Sequence, residues 1–294
     1  MLLLTGATGS IGSRLLPLLL ERGEEVRCLV REPRRLGARR VDVQIALGDL
    51  GEMSDPYLVR QALRGVDTVI HLAATIRDQP PHRIEELNGL ATVRLLRAAE
   101  RSGVRRFVFF SALEAGAAQR TRFFRAKWLA EQAVRSSALE TTVFAPSIVY
   151  DRSDPWVTLL RRFSFLPVLP VSGAGKARFQ PIWAADAARC VVADLGRAER
   201  RARYELAGPE TLDYDGMSDL VSRVAGRPRP LVHLPLPLVR AGLIGLRSVF
   251  GESVFATWEE AELMEVSMTT GRGAEDAQEL GVDPRRMADV LAQT

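Results

Sequence analysis

Met1-Leu2-Leu3-Leu4-Thr5-Gly6-Ala7-Thr8-Gly9-Ser10-Ile11-Gly12 opens the chain, and its reading decides the fold class. Four apolar residues read as a buried strand, the glycines as a sharp turn, and Arg14 to Glu21 as an amphipathic helix. Gly6 permits the turn, Gly9 lets the backbone approach a pyrophosphate, and Gly12 lets the helix pack closely on the strand. The helix N-terminus then faces the phosphates, with Thr8, Ser10 and Ile11 completing the loop. Three glycines alone are weak evidence; placed between a strand and a helix they predict a dinucleotide site.

Working outward, apolar runs at Val26 to Val30, Val43 to Leu47, Thr68 to Leu72, Phe107 to Phe110 and Thr142 to Phe144 read as buried parallel strands. Helical patterns over Ser13 to Glu21, Pro56 to Arg64, Ile84 to Arg101 and Arg122 to Arg135 alternate with them. The expectation is an α/β Rossmann-like, doubly wound parallel sheet over residues 1–150, its ligand at the carboxyl edge. Residues 151–294 lose the regular alternation and read as a smaller α+β substrate-side or partner lobe interleaved with the main domain. Helices are expected there at Ala184 to Leu195, Gly216 to Val224, Pro237 to Phe250 and Pro284 to Ala292.

The chain has 294 residues, 47% of them hydrophobic, enough for a substantial core and unlike a disordered protein. Its net charge of +4 comes from arginine, since lysine occurs only at Lys127 and Lys176. Five arginines fall between Arg31 and Arg40, without interleaved aromatics or a zinc pattern, which argues against nucleic acid. Cys28 and Cys190 sit in apolar runs and read as buried thiols; the three histidines form no metal pattern. The leucine-rich start lacks the basic segment of an export signal, so the expected location is cytoplasmic. Leu231 to Phe250 is strongly apolar, but Pro235, Pro237, Arg240 and Arg247 argue against a membrane span. A core or partner-facing helix outweighs one lying on a membrane surface.

Arg31 ends the second strand, beside the place of the adenosine ribose, with Arg34 and Arg35 behind it. A carboxylate there suits the ribose hydroxyl of NAD, whereas arginine suits the 2′-phosphate of NADP. The cofactor expected is therefore NADP(H), with Glu32 the residue that would support NAD(H).

Gly48-Asp49-Leu50 and His71-Leu72-Ala73-Ala74 close the third and fourth strands, and from here the chain resembles the short-chain dehydrogenase/reductase superfamily. The resemblance implies that Asp49 and Leu50 contact adenine and that Ala73 and Ala74 line the cofactor groove. Asn88 matches the family's helix asparagine, and Ser111 stands where the catalytic serine is expected. The family's Tyr-x-x-x-Lys places two side chains on one helix face, the lysine holding the nicotinamide ribose and the tyrosine transferring the proton. Here it reads Phe123-Phe124-Arg125-Ala126-Lys127, and no intact motif occurs elsewhere. With two lysines in 294 residues, a given position holds one by chance in roughly 0.7% of cases, so Lys127 is expected still to hold the ribose.

Ala145-Pro146-Ser147 after the sixth strand, Gly173-Ala174-Gly175-Lys176, Gln180-Pro181-Ile182 and Trp183 to Ala188 resemble the extended and atypical branches. Pro146 stands by the cofactor; Asp186 reads as a helix-capping or first-turn acid. The combination most resembles the atypical NmrA-like group, to which the dinucleotide-binding accessory subunit of respiratory complex I is similar.

Three activities follow. The first is an NADP(H)-binding sensor or structural subunit, implied by Phe123. The second is an NADPH-dependent reductase of a small apolar carbonyl or quinone-like substrate, with Ser111 orienting the carbonyl and the proton coming from water, from Tyr150 or from the substrate. The third, an epimerase or dehydratase, is weakest because it too needs the tyrosine. Trp156, Phe163, Phe165 and Leu166 suggest an apolar pocket or an apolar partner surface. Related families dimerise through the helices that here span Ile84 to Arg101 and Arg122 to Arg135.

Overall fold

The structure is a computed structural model, and it describes residues 1–49, 51, 55–199, 201–250 and 257–293. In the first half β1 (Leu2–Thr5), α1 (Ser10–Glu21), β2 (Val26–Val30), β3 (Gln44–Leu47), α2 (Pro56–Leu63) and β4 (Thr68–His71) follow in order. Then come α3 (Ala91–Arg101), β5 (Arg106–Phe110), α4 (Arg122–Arg135) and β6 (Glu140–Pro146). The remainder forms β7 (Val149–Tyr150), α5 (Pro155–Phe163), β8 (Leu169–Ser172), β9 (Arg178–Phe179), β10 (Ile182–Trp183) and α6 (Ala184–Leu195). It ends with β11 (Arg203–Leu206), β12 (Leu212–Asp213), α7 (Tyr214–Val224), β13 (Leu231–Leu234), α8 (Leu236–Phe250), α9 (Trp258–Leu263), α10 (Glu275–Glu279) and α11 (Met287–Ala292).

Seven parallel strands pair in the order β11-β6-β5-β4-β1-β2-β3. The chain runs outward from β1 to β3, then returns to the other side of β1 at β4. That reversal opens a crevice at the carboxyl ends of β1 and β4, where Thr5 pairs with His71. Leu3 and Leu4 are fully buried, because a central parallel strand is covered on both faces. One face packs α1 and α6 through Leu15, Leu19, Ala187 and Val191; the other packs α2, α3 and α4 through Leu63, Leu95, Ala130 and Val134. Cys28 and Cys190 lie in the first of these layers as free thiols, each pushed up to about 12 by burial.

Two features depart from the expected pattern. The helix anticipated over Ile84 to Arg101 begins as a π turn, Glu86–Leu90, before becoming regular. A seventh strand, β11, returns from the second half of the chain to pair with β6. A third apolar cluster, built on Tyr150, Val157, Phe179, Tyr214, Met217 and Met287, forms beside the sheet. Helix α8 is not a core helix: Leu238 is 67% and Ile244 54% exposed. A cavity of about 380 Å³ lies between it and Trp258. Among the described residues no helix is long and apolar enough to cross a membrane.

Candidate functional site

Steric limits shape the glycine turn. Gly6 has φ +73°, and a Cβ there would stand 2.7 Å from the Ala73 nitrogen, so the turn closes against the loop after β4. A Cβ on Gly12 would stand 2.1 Å from the Gly6 oxygen, which explains the close approach of α1 to the strand end. Gly9 differs. Its backbone is extended, it is exposed, and a Cβ would meet only the Gly6 oxygen, at 3.3 Å. A methyl group there would press on that one oxygen alone, a far milder conflict than at Gly6 or Gly12. Gly9 caps α1 without a side-chain hydrogen bond and the first turn carries no acid. The helix end thus presents free N–H groups and its positive pole to an anion. Thr8, Ser10 and Ile11 form its half-buried rim.

Beneath the turn runs a chain of neutral hydrogen bonds. The Ala73 N–H donates to Thr5 Oγ1 at 3.2 Å, and Thr5 Oγ1 meets His71 Nδ1 at 2.7 Å. His71 Nε2 meets Thr92 Oγ1 at 2.9 Å, and Thr92 donates its proton to the Asn88 carbonyl. Since Thr92 has one proton and gives it to Asn88, His71 must donate from Nε2 and accept at Nδ1. Burial, with the charge of Lys127 adding to it, lowers the His71 pKa to about 3, so the imidazole stays neutral. Asn88 receives the Thr75 N–H at Oδ1 and donates through Nδ2 to the Thr75 and Ile84 carbonyls. The π turn that carries it therefore fixes the loop after β4.

At the adenosine end, Arg31 is exposed and donates to Gln79 Oε1 at 2.8 Å. Asp49 is half-buried in the loop after β3; Leu50 lies outside the described residues. Ala73 and Ala74 follow β4 at the crevice, and Pro146 ends β6 with its carbonyl accepting from the Leu113 N–H.

At the opposite end, α4 presents Phe123, Lys127 and Glu131, spaced a turn apart, to the end of β5. Lys127 is 3% exposed, and its Nζ donates to the Phe110 carbonyl at 2.7 Å. The Nζ lies 4.9 Å from the Phe109 ring centre and 5.8 Å from that of Phe123. Burial lowers its pKa to about 7. Ser111 is brought to the same place, but its hydroxyl donates to Glu131 Oε2 at 2.5 Å, and Arg203 holds the other oxygen of that carboxylate at 3.0 Å. With its one proton committed, Ser111 offers a carbonyl lone pairs and no donor. Glu131 was not singled out by the sequence reading, although its place four residues after Lys127 put it on the same face.

Tyr150 lies in the third cluster, which Ala112 and Phe124 share and against which Phe123 packs. Its ring is fully buried in the third cluster, and β7 pairs it with Trp183. Its hydroxyl has no hydrogen-bond partner among the described residues. Burial, then the nearby Asp186 and Glu210 carboxylates, push its pKa up, away from any role as an acid at neutral pH. Burial of its ring accords with core packing, the alternative to a proton-donor role. Asp186 proves a buried first-turn acid of α6, accepting from the Arg285 N–H at 2.9 Å and from Arg189 at 3.0 Å. Trp156 packs on the third cluster, while Phe165 and Leu166 are exposed.

Residues 6–162 match the NAD(P)H-binding family. The chain is 30% identical over 246 residues to (4-alkanoyl-5-oxo-2,5-dihydrofuran-3-yl)methyl phosphate reductase of Streptomyces griseus, covering 83% of this chain and 80% of that one. It is 27% identical over 254 residues to NADH dehydrogenase (ubiquinone) 1 alpha subcomplex subunit 9, mitochondrial, of Arabidopsis thaliana, covering 80% of this chain and 60% of the subunit. The solved structure of a nucleoside-diphosphate-sugar epimerase from Staphylococcus aureus overlays with a TM-score of 0.79 at 20% identity, covering 99% of both chains. That likeness concerns the fold. With its glycine turn, switch-point crevice and parallel sheet, the chain belongs to the NAD(P)H-binding family of atypical short-chain dehydrogenase/reductase-like proteins.

Proposed function

We propose that the protein binds NADP(H) and uses it as a sensor or as a structural, accessory subunit rather than turning it over. The observation that carries this is Phe123: the helix face that holds Lys127 presents a ring with no exchangeable proton where the reaction needs an acid. The commitment of Ser111 to Glu131 supports it. In this reading Gly6, Thr8, Gly9, Ser10, Ile11 and Gly12 hold the pyrophosphate. Asp49, Leu50, Ala73, Ala74 and Pro146 line the groove, Arg31 meets the 2′-phosphate, and Lys127 turns from the Phe110 carbonyl to the ribose. Residues 1–150 act as the cofactor domain and 151–294 as the partner lobe, although β11 and α6 from the latter complete the sheet.

The second reading, an NADPH-dependent reductase of a small apolar carbonyl or quinone-like compound, draws on the reductase named among the relatives. In this reading its proton comes from water, from Tyr150 or from the substrate. Exposed Leu90 and Leu129, at 46% and 44%, support a homodimer through the π turn and α4. The buried free thiols fit a cytoplasmic location.

The test is titration with NADPH, NADP, NADH and NAD, followed by a carbonyl and quinone panel, for the wild type and Phe123→Tyr. Tight NADPH binding is expected, with no NADPH oxidation by the wild type. Rapid oxidation by the wild type, unimproved in Phe123→Tyr, would establish the reductase instead.

A further inference from the structure

Arg31 and Gln79 make a contact that the sheet order renders informative. Arg31 follows β2 and Gln79 belongs to the loop after β4, and these strands are not neighbours: β1 lies between them. Their ends are about 10 Å apart, two strand spacings. The hydrogen bond from Arg31 Nη1 to Gln79 Oε1 therefore passes across the carboxyl end of β1, above the glycine turn.

The partner is a side-chain amide, as it is for Arg27 at Gln44 and Arg152 at Gln293. Arg14, Arg77, Arg122 and Arg203 all pair with carboxylates, at Asp151, Glu260, Asp78 with Glu85, and Glu131. Arg31 has no carboxylate within ion-pair distance among the described residues, and a neutral amide holds it. A carboxylate arm would fix the guanidinium but cancel its charge. An amide oxygen fixes it, leaves the charge whole, and uses one of five N–H donors.

Gln79 is itself held. Arginine only donates, so Oε1 must face it, which turns Nε2 to Thr75 Oγ1 at 3.2 Å. Thr75 is bound through its backbone to buried Asn88. The rest of the loop is tied to α4, where Arg122 grips Asp78 at 2.9 Å and Glu85 at 2.6 Å. A line of hydrogen bonds thus runs from the buried π turn through Thr75 and Gln79 to an exposed, uncompensated cation over the crevice.

We infer that Gln79 is a positioning residue for the cofactor's 2′-phosphate, holding Arg31 across the crevice with its charge and remaining donors free for that group. This rests on the NADP(H) reading above. Its consequence is that part of the preference for NADPH over NADH resides in a residue on the loop after β4, which no contact with the adenosine would reveal.

The experiment measures NADPH and NADH dissociation constants by nicotinamide fluorescence on the whole protein, with thermal unfolding as a control. Arg31→Ala is expected to weaken NADPH about 50-fold and NADH less than about threefold. Gln79→Ala is expected to weaken NADPH about fivefold and leave NADH unchanged. Gln79→Glu, which pairs with Arg31 and cancels its charge, is expected to weaken NADPH about 20-fold. In the Arg31→Ala background, Gln79→Ala should add nothing. If Gln79→Ala changed neither cofactor, or weakened both equally, the positioning role would be overturned while the Arg31 result kept the NADP(H) reading intact. If Arg31→Ala left the NADPH to NADH ratio unchanged, that reading would fall first and this one with it.

Discussion

The two ends of the crevice are built differently. At the phosphate end, a positive φ and forbidden Cβ positions pack the glycine turn tightly, and α1 begins beside it with neither a side-chain cap nor an acid in its first turn. At the nicotinamide end the polar groups satisfy one another: Ser111 is spent on Glu131, and Lys127 on the Phe110 carbonyl between two aromatic rings. In the proposed reading, binding and chemistry occupy separate parts of this fold, so one can persist without the other. The difference teaches that a complete cofactor cradle is no evidence for turnover.

The sharpest way to break this comparison is within the glycine turn. Gly12→Ala drives a methyl group into the Gly6 carbonyl, and overpacking of that kind should cost about 3 kcal/mol of stability and abolish cofactor binding. Gly9→Ala meets one atom at 3.3 Å with an extended backbone, so its stability should stay within about 1 kcal/mol of wild type. Its NADPH dissociation constant should nonetheless rise by about 30-fold, since the methyl group occupies the pyrophosphate's place. Chemical denaturation and fluorescence titration of both variants would check this. Equal destabilisation by both, or unimpaired binding by Gly9→Ala, would remove the distinction between a glycine the fold needs and one the ligand needs.

The sequence made the first of these ends legible and the second only in part. Strand, turn and helix around Gly6 to Gly12 are local, so their spacing exposes them, and the alternation through β6 follows from the same short-range patterning. Strand β11 escaped because Arg203-Tyr204-Glu205-Leu206 alternates over only four residues and its partner β6 is about 60 residues away. The environment of Lys127 was visible as a motif position, but its burial depends on Phe109 and Phe110, on another element. Tyr150 was singled out by the segment after the sixth strand, whereas its burial in a cluster with Phe124, Phe179 and Tyr214 depends on distant parts of the chain. Gln79 had no sequence signal, because its meaning comes from the order of strands.

Lys127 offers an intermediate effect that sharpens the contrast. Its ammonium is buried with one neutral acceptor, so below pH 7 the folded protein bears the cost of a charge that the unfolded chain leaves in water. Lys127→Met removes that cost while filling the same space. At pH 6 it should raise unfolding free energy by about 2 kcal/mol, the gain shrinking as pH rises above 7 and the wild-type amine loses its proton. The same variant should weaken NADPH about tenfold, as the ribose loses its partner. A protein made more stable and less able to bind would show that this side chain is retained for the ligand; loss of both properties would make it structural.

The smallest effect is a pH dependence of binding. In the free protein Lys127 titrates near pH 7. A bound dinucleotide brings negative phosphates and ribose hydroxyls that favour the ammonium, so its pKa rises on binding and the complex takes up a proton. Affinity is then greatest below pH 7 and falls as the solution rises through 7, because above that point binding must reprotonate the amine. Between pH 7 and 9 the cofactor's own 2′-phosphate, with a second pKa of about 6, changes its ionisation little, which leaves the lysine as the main titrating group. The NADPH dissociation constant should rise by about fivefold over that interval in the wild type and stay flat in Lys127→Met. Calorimetry in buffers of different ionisation heat would count the proton directly. No uptake near pH 8 would mean that Lys127 keeps its bond to Phe110 when the cofactor binds and that the nicotinamide end is closed to the ligand.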